Sequence, residues 1–161
     1  MPATNPPTQD VAYRYTLTRL IQLDFDQVSK GVVVFVMLNP STADDQKDDP
    51  TIRRCKGFAR TWGYSTLRVV NLFAARATKP ADLETMPDPV GPGNDEVLVA
   101  ETAIADLVVA AWGTHGGFRG RADEVLRRMD RVQWWCLGVT KNGYPRHPLY
   151  VAADKKLEVY R

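Results

Sequence analysis

The chain has 161 residues, 44% hydrophobic and 25% charged, with a net charge of +2. That length suits one domain with one core, and the near-neutral balance excludes a global basic field for nucleic acid while leaving room for a local patch. No apolar run reaches the length of a bilayer span, and the first ten residues lack the charged start and apolar stretch of a signal peptide.

Residues 1–10 read as a flexible leader and 11–161 as a single α/β domain. Tyr13 to Leu20 alternates in period two, which predicts a half-exposed strand, antiparallel at the sheet edge. Gly31 to Leu38 is a continuous apolar run, the pattern of a strand buried on both faces. It ends in Asn39-Pro-Ser-Thr-Ala-Asp44, where Pro40 stops the strand. Asp49 and Pro50 predict a helix start. Ile52, Cys55, Phe58, Ala59 and Trp62 follow at helical spacing, and Gly63 ends the helix. Thr66 to Val70 predicts a second buried strand, ending in Asn71. The four prolines between 78 and 93 predict a loop with one short helix at 80–85. Asn94 is placed to cap the next helix, which carries Val97, Leu98, Glu101, Ile104 and Ala105. Leu107 to Ala111 predicts a third strand, ending in Trp112-Gly113. Arg121 to Arg131 predicts a helix, and Val132 to Leu137 a fourth strand, with Trp134 and Trp135 facing opposite layers.

This order predicts an α/β fold: a three-layer α/β/α sandwich with a mostly parallel four-stranded central sheet. Ligands of such sheets bind beyond the carboxyl ends of the strands. Four polar sets are expected there: Asn39 with Ser41 and Thr42, Asn71, Trp112 with His115, and Lys141 with Arg146 and His147. Asn39 suits orientation of a water or a ligand amide, and equally an Asx turn before Pro40. Asp44 leads a group of carboxylates that could supply a general base or merely solvate a loop. Asn71 offers a donor and an acceptor that match a nucleobase edge. His147, held between prolines, suits stabilisation of negative charge on a leaving group. His115 sits among glycines that position it poorly, which argues against catalysis. Lys141, Arg146, Arg119 and Arg121 could flank the edge and hold phosphates. The basic group from Arg53 to Arg60 reads at least as well as a solvated helix face. Cys55 and Cys136 lack metal-ligand spacing and read as buried thiols of a reducing cytoplasm. No metal or cofactor is called for.

Two resemblances rest on these residues. Asn39-Pro-Ser-Thr-Ala-Asp44, Asp49-Pro-Thr-Ile-Arg-Arg54, Asn71-Leu-Phe73, Trp112-Gly113 and the segment from Thr140 to Leu149 resemble a bacterial and phage domain-of-unknown-function family over about residues 11–151. More distantly, the order of strand-end signatures resembles the uracil-DNA glycosylase superfamily. Leu38-Asn39-Pro40, Asn71, Trp112-Gly113 and His147-Pro148-Leu149 are similar to its successive motifs, with Met37 standing where one branch has glycine. That resemblance implies hydrolysis of an N-glycosidic bond without a metal: Asn39 and Asp44 would position water, Asn71 read the base and His147 stabilise the departing base. Its ligand would be a nucleobase-containing molecule, with single-stranded nucleic acid among the candidates. The alternatives are a nucleobase- or nucleotide-binding module without turnover, and an interaction protein whose polar strand ends only cap the sheet. Oligomeric state stays open.

Overall fold

The computed structural model describes residues 12–161 except Thr42 and Asp45. The leader assigned to residues 1–10, and Thr42 as a ligand-binding candidate, therefore lie outside the described residues.

The chain is a mixed α/β structure around a six-stranded sheet of order β1-β3-β2-β4-β5-β6. The strands are β1 (Leu17–Leu20), β2 (Val32–Met37), β3 (Thr66–Asn71), β4 (Leu107–Ala110), β5 (Trp134–Cys136) and β6 (Glu158–Val159). The inner pairs β3–β2, β2–β4 and β4–β5 are parallel. The edges β1 and β6 are antiparallel to their neighbours. The buried apolar runs thus lie inside the sheet, where both faces are covered. β6 has no counterpart among the expected strands, because two exposed residues make no periodic pattern.

Helix α1 (Pro50–Trp62) covers one face. Its Ile52, Cys55, Phe58 and Ala59 pack with Val33, Phe35, Leu67, Val69 and Val109. Asp49 caps it through Oδ1, which accepts from the Ile52 amide at 2.8 Å. Gly63 closes it with φ 87°, a conformation that favours glycine. On the other face, α2 (Asn94–Ile104) and α3 (Arg121–Arg128) contribute Leu98, Val125 and Leu126, which pack on Val34, Val36, Val70, Val108 and Trp134. Fully burying one such side chain stabilises by roughly 1.5–3 kcal/mol. Trp134 belongs to this second layer and Trp135 packs against the first, as the alternation of a strand requires.

The cap of α2 differs from expectation. Gly93, at φ 75°, holds the N-cap position. Asn94 is the first helical residue and is fully buried. Its Nδ2 donates to the carbonyls of Asn71 and Leu72 at 3.0 and 3.2 Å. A long-range demand from the end of β3 outcompetes the local capping preference. Helix α3 stops at Arg128 and β5 spans three residues, both shorter than the sequence pattern predicts.

Because β3 and β4 flank β2 on opposite sides, the chain reverses its winding at β2. Loops diverge at such a point and leave a crevice between them.

Candidate functional site

The crevice is a cleft of about 700 Å³ at the carboxyl ends of β2, β3 and β4. Among the sequence-predicted residues, Asn39, Ser41, Asn71, Trp112, Arg146 and His147 line it together. His115 lines it too, exposed on the Thr114–Gly120 turn.

Asn71 ends β3 opposite Met37 in the parallel register. It is 2% exposed, and its side-chain amide makes no hydrogen bond with the described residues. Its polar atoms are not wholly enclosed, so they open on the cleft, where a ligand or water can pair with them. Its backbone carbonyl accepts from Asn94, which anchors the end of the strand that carries the amide.

Asn39 has the opposite economy. Its Nδ2 donates to the carbonyls of Pro40 and Ala77, at 2.9 and 2.8 Å. Both amide protons are thereby committed to backbone. The orientation of the group is fixed, and Oδ1 remains as an acceptor.

His147 follows a hairpin tied by the Thr140 amide to the Tyr144 carbonyl at 2.8 Å and the Arg146 amide to the Gly138 carbonyl at 2.9 Å. The Gly113 amide joins this hairpin to the end of β4 through the Pro145 carbonyl. Nδ1 of His147 accepts from the Leu149 amide at 3.1 Å. In the neutral ring the proton therefore sits on Nε2, which is left as a donor. Burial pushes its pKa below the ordinary imidazole value, opposed by the charge of Asp49. Lys141 sits at the exposed tip of the same hairpin and does not line the cleft.

Asp44 also stays outside the cleft. Its Oδ1 accepts from the amides of Gln46 and Lys47, at 2.9 and 2.7 Å, and these bonds hold its carboxyl below the usual range. The carboxylate in the lining is Asp49, whose Oδ2 accepts from the Ser41 hydroxyl at 3.2 Å. Sequence reasoning placed Asp49 as a helix cap and as one of the carboxylates grouped with Asp44, without singling it out. Its spacing eight residues from Ser41 gives no local sign that the two meet.

Trp112 is 1% exposed, and its ring meets Trp134 and Tyr160 edge-on at centroid distances of 5.8 and 6.1 Å. Behind it lies Gly116, where an added Cβ would fall 2.1 Å from the indole Cδ1. Tyr150, not singled out in the sequence, lines the cleft at 78% exposure, with its ring 5.5 Å from that of His147.

Other basic candidates have structural partners. Arg121 is 1% exposed and donates from Nε to the Leu72 carbonyl at 2.8 Å. It pairs with Glu124 at 3.2 Å and with Asp95 at 2.8 Å, the latter off hydrogen-bond alignment. Arg119 donates to the Met86 carbonyl and packs over Phe118. Lys56 and Arg19 converge on Asp48. Both cysteines are buried, and burial pushes each thiol up.

A family model described as a protein of unknown function, DUF1643, matches residues 14–149. The chain belongs to the DUF1643 family. No curated protein and no solved structure matches it. The match to DUF1643 runs from the approach to β1 to the end of the His147 turn, so it takes in every described cleft residue named above except Tyr150. Among the described residues no helix is long and apolar enough to cross a membrane.

Proposed function

We propose that the cleft binds a nucleobase and that the protein hydrolyses its N-glycosidic bond. The observation that carries this reading is Asn71, a residue 2% exposed whose side-chain amide opens on the cleft without a hydrogen-bond partner among the described residues. A donor and an acceptor held side by side complement the edge of a base. The cleft volume lies within the range of small-molecule sites. The parallel run β3-β2-β4-β5, with α1 on one face and α2 and α3 on the other, supports the likeness to the three-layer glycosylase sandwich.

In this mechanism the bond between the sugar C1′ and the base nitrogen breaks, and its electron pair leaves with the base. Nε2–H of His147 donates to the base as negative charge develops. Asn39 Oδ1 and the Asp49 carboxylate hold the water that adds to C1′. Asp49 takes over the role expected of Asp44, since it is the carboxylate within reach of the cleft. The water proton passes to the carboxylate and ultimately to the departed base, so charge balances.

The test is chromatographic detection of free base after incubation with uracil-containing single-stranded DNA and with free nucleotides. Asn39→Ala and His147→Ala are expected to slow release strongly, and full activity in both would sink the assigned roles. One observation favours a second reading, base binding without turnover. Met37 is 4% exposed, lines the cleft and is the register partner of Asn71. Its side chain fills space where a bare backbone could approach the base. Tight nucleotide binding with no released base would select this reading.

A further inference from the structure

A second groove, of about 450 Å³, adjoins the cleft. Leu149 belongs to the lining of both. The groove runs over the outer face of α1, past Arg53, Arg54 and Gly57, with Ala153 opposite. At Gly57 an added Cβ would meet nothing within 4 Å, so the floor is open.

Charge distinguishes this surface from the rest of α1. Lys56 and Arg60 on the same helix pair with Asp48 and Asp24. Arg53 and Arg54 donate only to backbone carbonyls, those of Asp48 and Val151, and Arg146 has no carboxylate within ion-pair distance among the described residues. Together the two linings hold Arg53, Arg54 and Arg146 against one described carboxylate, Asp49. The rim adds the exposed ring of Tyr150, a platform for stacking. Guanidinium groups without acidic partners, beside an exposed aromatic, complement a phosphodiester chain.

We infer that this groove carries the nucleotides flanking the target in a single-stranded nucleic acid, with Arg53 and Arg54 on its phosphates and Leu149 dividing target from neighbour. The inference rests on the base-binding reading of the cleft and extends it from a nucleotide to a strand.

The test is fluorescence anisotropy with a labelled single-stranded DNA oligonucleotide, and competition by the matching mononucleotide. The oligonucleotide is expected to bind at least ten-fold more tightly than the mononucleotide. The R53A/R54A variant should lose most of that advantage. Its salt dependence should flatten by about 1.4 in log–log slope, from two phosphate contacts at roughly 0.7 each. Arg53→Glu, a single exposed charge reversal, gives the same direction if the double variant folds poorly. An oligonucleotide no tighter than the mononucleotide, or unaffected by either variant, overturns the groove. Equal binding of inorganic polyphosphate also overturns it, because the surface would then be a general anion site. Asn71→Ala separates the two readings: oligonucleotide binding that survives it but is lost in R53A/R54A fails the base pocket and keeps the groove.

Discussion

Asn71 and Asn94 are both almost wholly buried, and Asn94 donates to the carbonyl of Asn71 itself. Asn94 commits its Nδ2 to two backbone carbonyls, its Oδ1 having no partner among the described residues, and with Arg121 it ties α2 and α3 to the chain leaving β3. Asn71 makes no side-chain hydrogen bond among the described residues and lines the cleft. The two regions show how a fold separates support from function. Behind the strand end, polar groups satisfy the backbone. In front of it, among the described residues, the Asn71 amide and the indole N–H of Trp112 are left without partners.

Truncating the support should hurt folding most. Arg121→Ala removes a buried guanidinium that is one of two donors to the Leu72 carbonyl and one of two cations paired with Asp95. We expect a loss of about 3 kcal/mol in urea unfolding, and an unchanged midpoint would show that the clamp is ornamental. Asn71→Leu inverts the pattern. Base release should fall about 100-fold, a loss comparable to removing one preorganised donor, while the unfolding free energy stays level or rises. If stability collapsed instead, Asn71 would belong with the support. Asn94→Ala is expected to cost about 1–3 kcal/mol by removing the side-chain donor to the Asn71 carbonyl while Leu72 keeps Arg121, with any activity lost only in proportion to folded protein. The smallest effect concerns His147. Its folded pKa lies below the unfolded value of about 6.5. The unfolded chain therefore binds more protons in that window, so stability is complete above about pH 6.5 and declines as pH falls toward the folded value. His147→Gln should remove that slope from a pH series of thermal midpoints. An identical slope in the variant would assign it to other groups.

Much of the support was legible from the sequence. β2 announces itself by six apolar residues in a row, and α1 by Asp49-Pro50 at one end and Gly63 at the other. These are signals a few residues long. Asn94 misleads because its local preference for capping is overridden by carbonyls more than twenty residues away. Asp44 misleads for a different reason: its loop folds back and captures the carboxylate with its own amides. Asp49 reaches the cleft only because α1 begins at its rim. Asn39, Asn71, Trp112 and His147 were found together because strand ends must share an edge. Lys141 was drawn in by proximity in sequence to His147, and the turn of the hairpin carries it away.

Gly116 has a consequence for how this cleft could vary among related chains. The indole of Trp112 rests on its bare backbone, with no room for even a methyl group. Any side chain at 116 must displace that ring, which forms part of the cleft wall. The depth of the cavity is therefore gauged from behind, by a residue that itself lies outside the cleft wall. Selectivity could be retuned at that position while every residue in contact with ligand kept its identity.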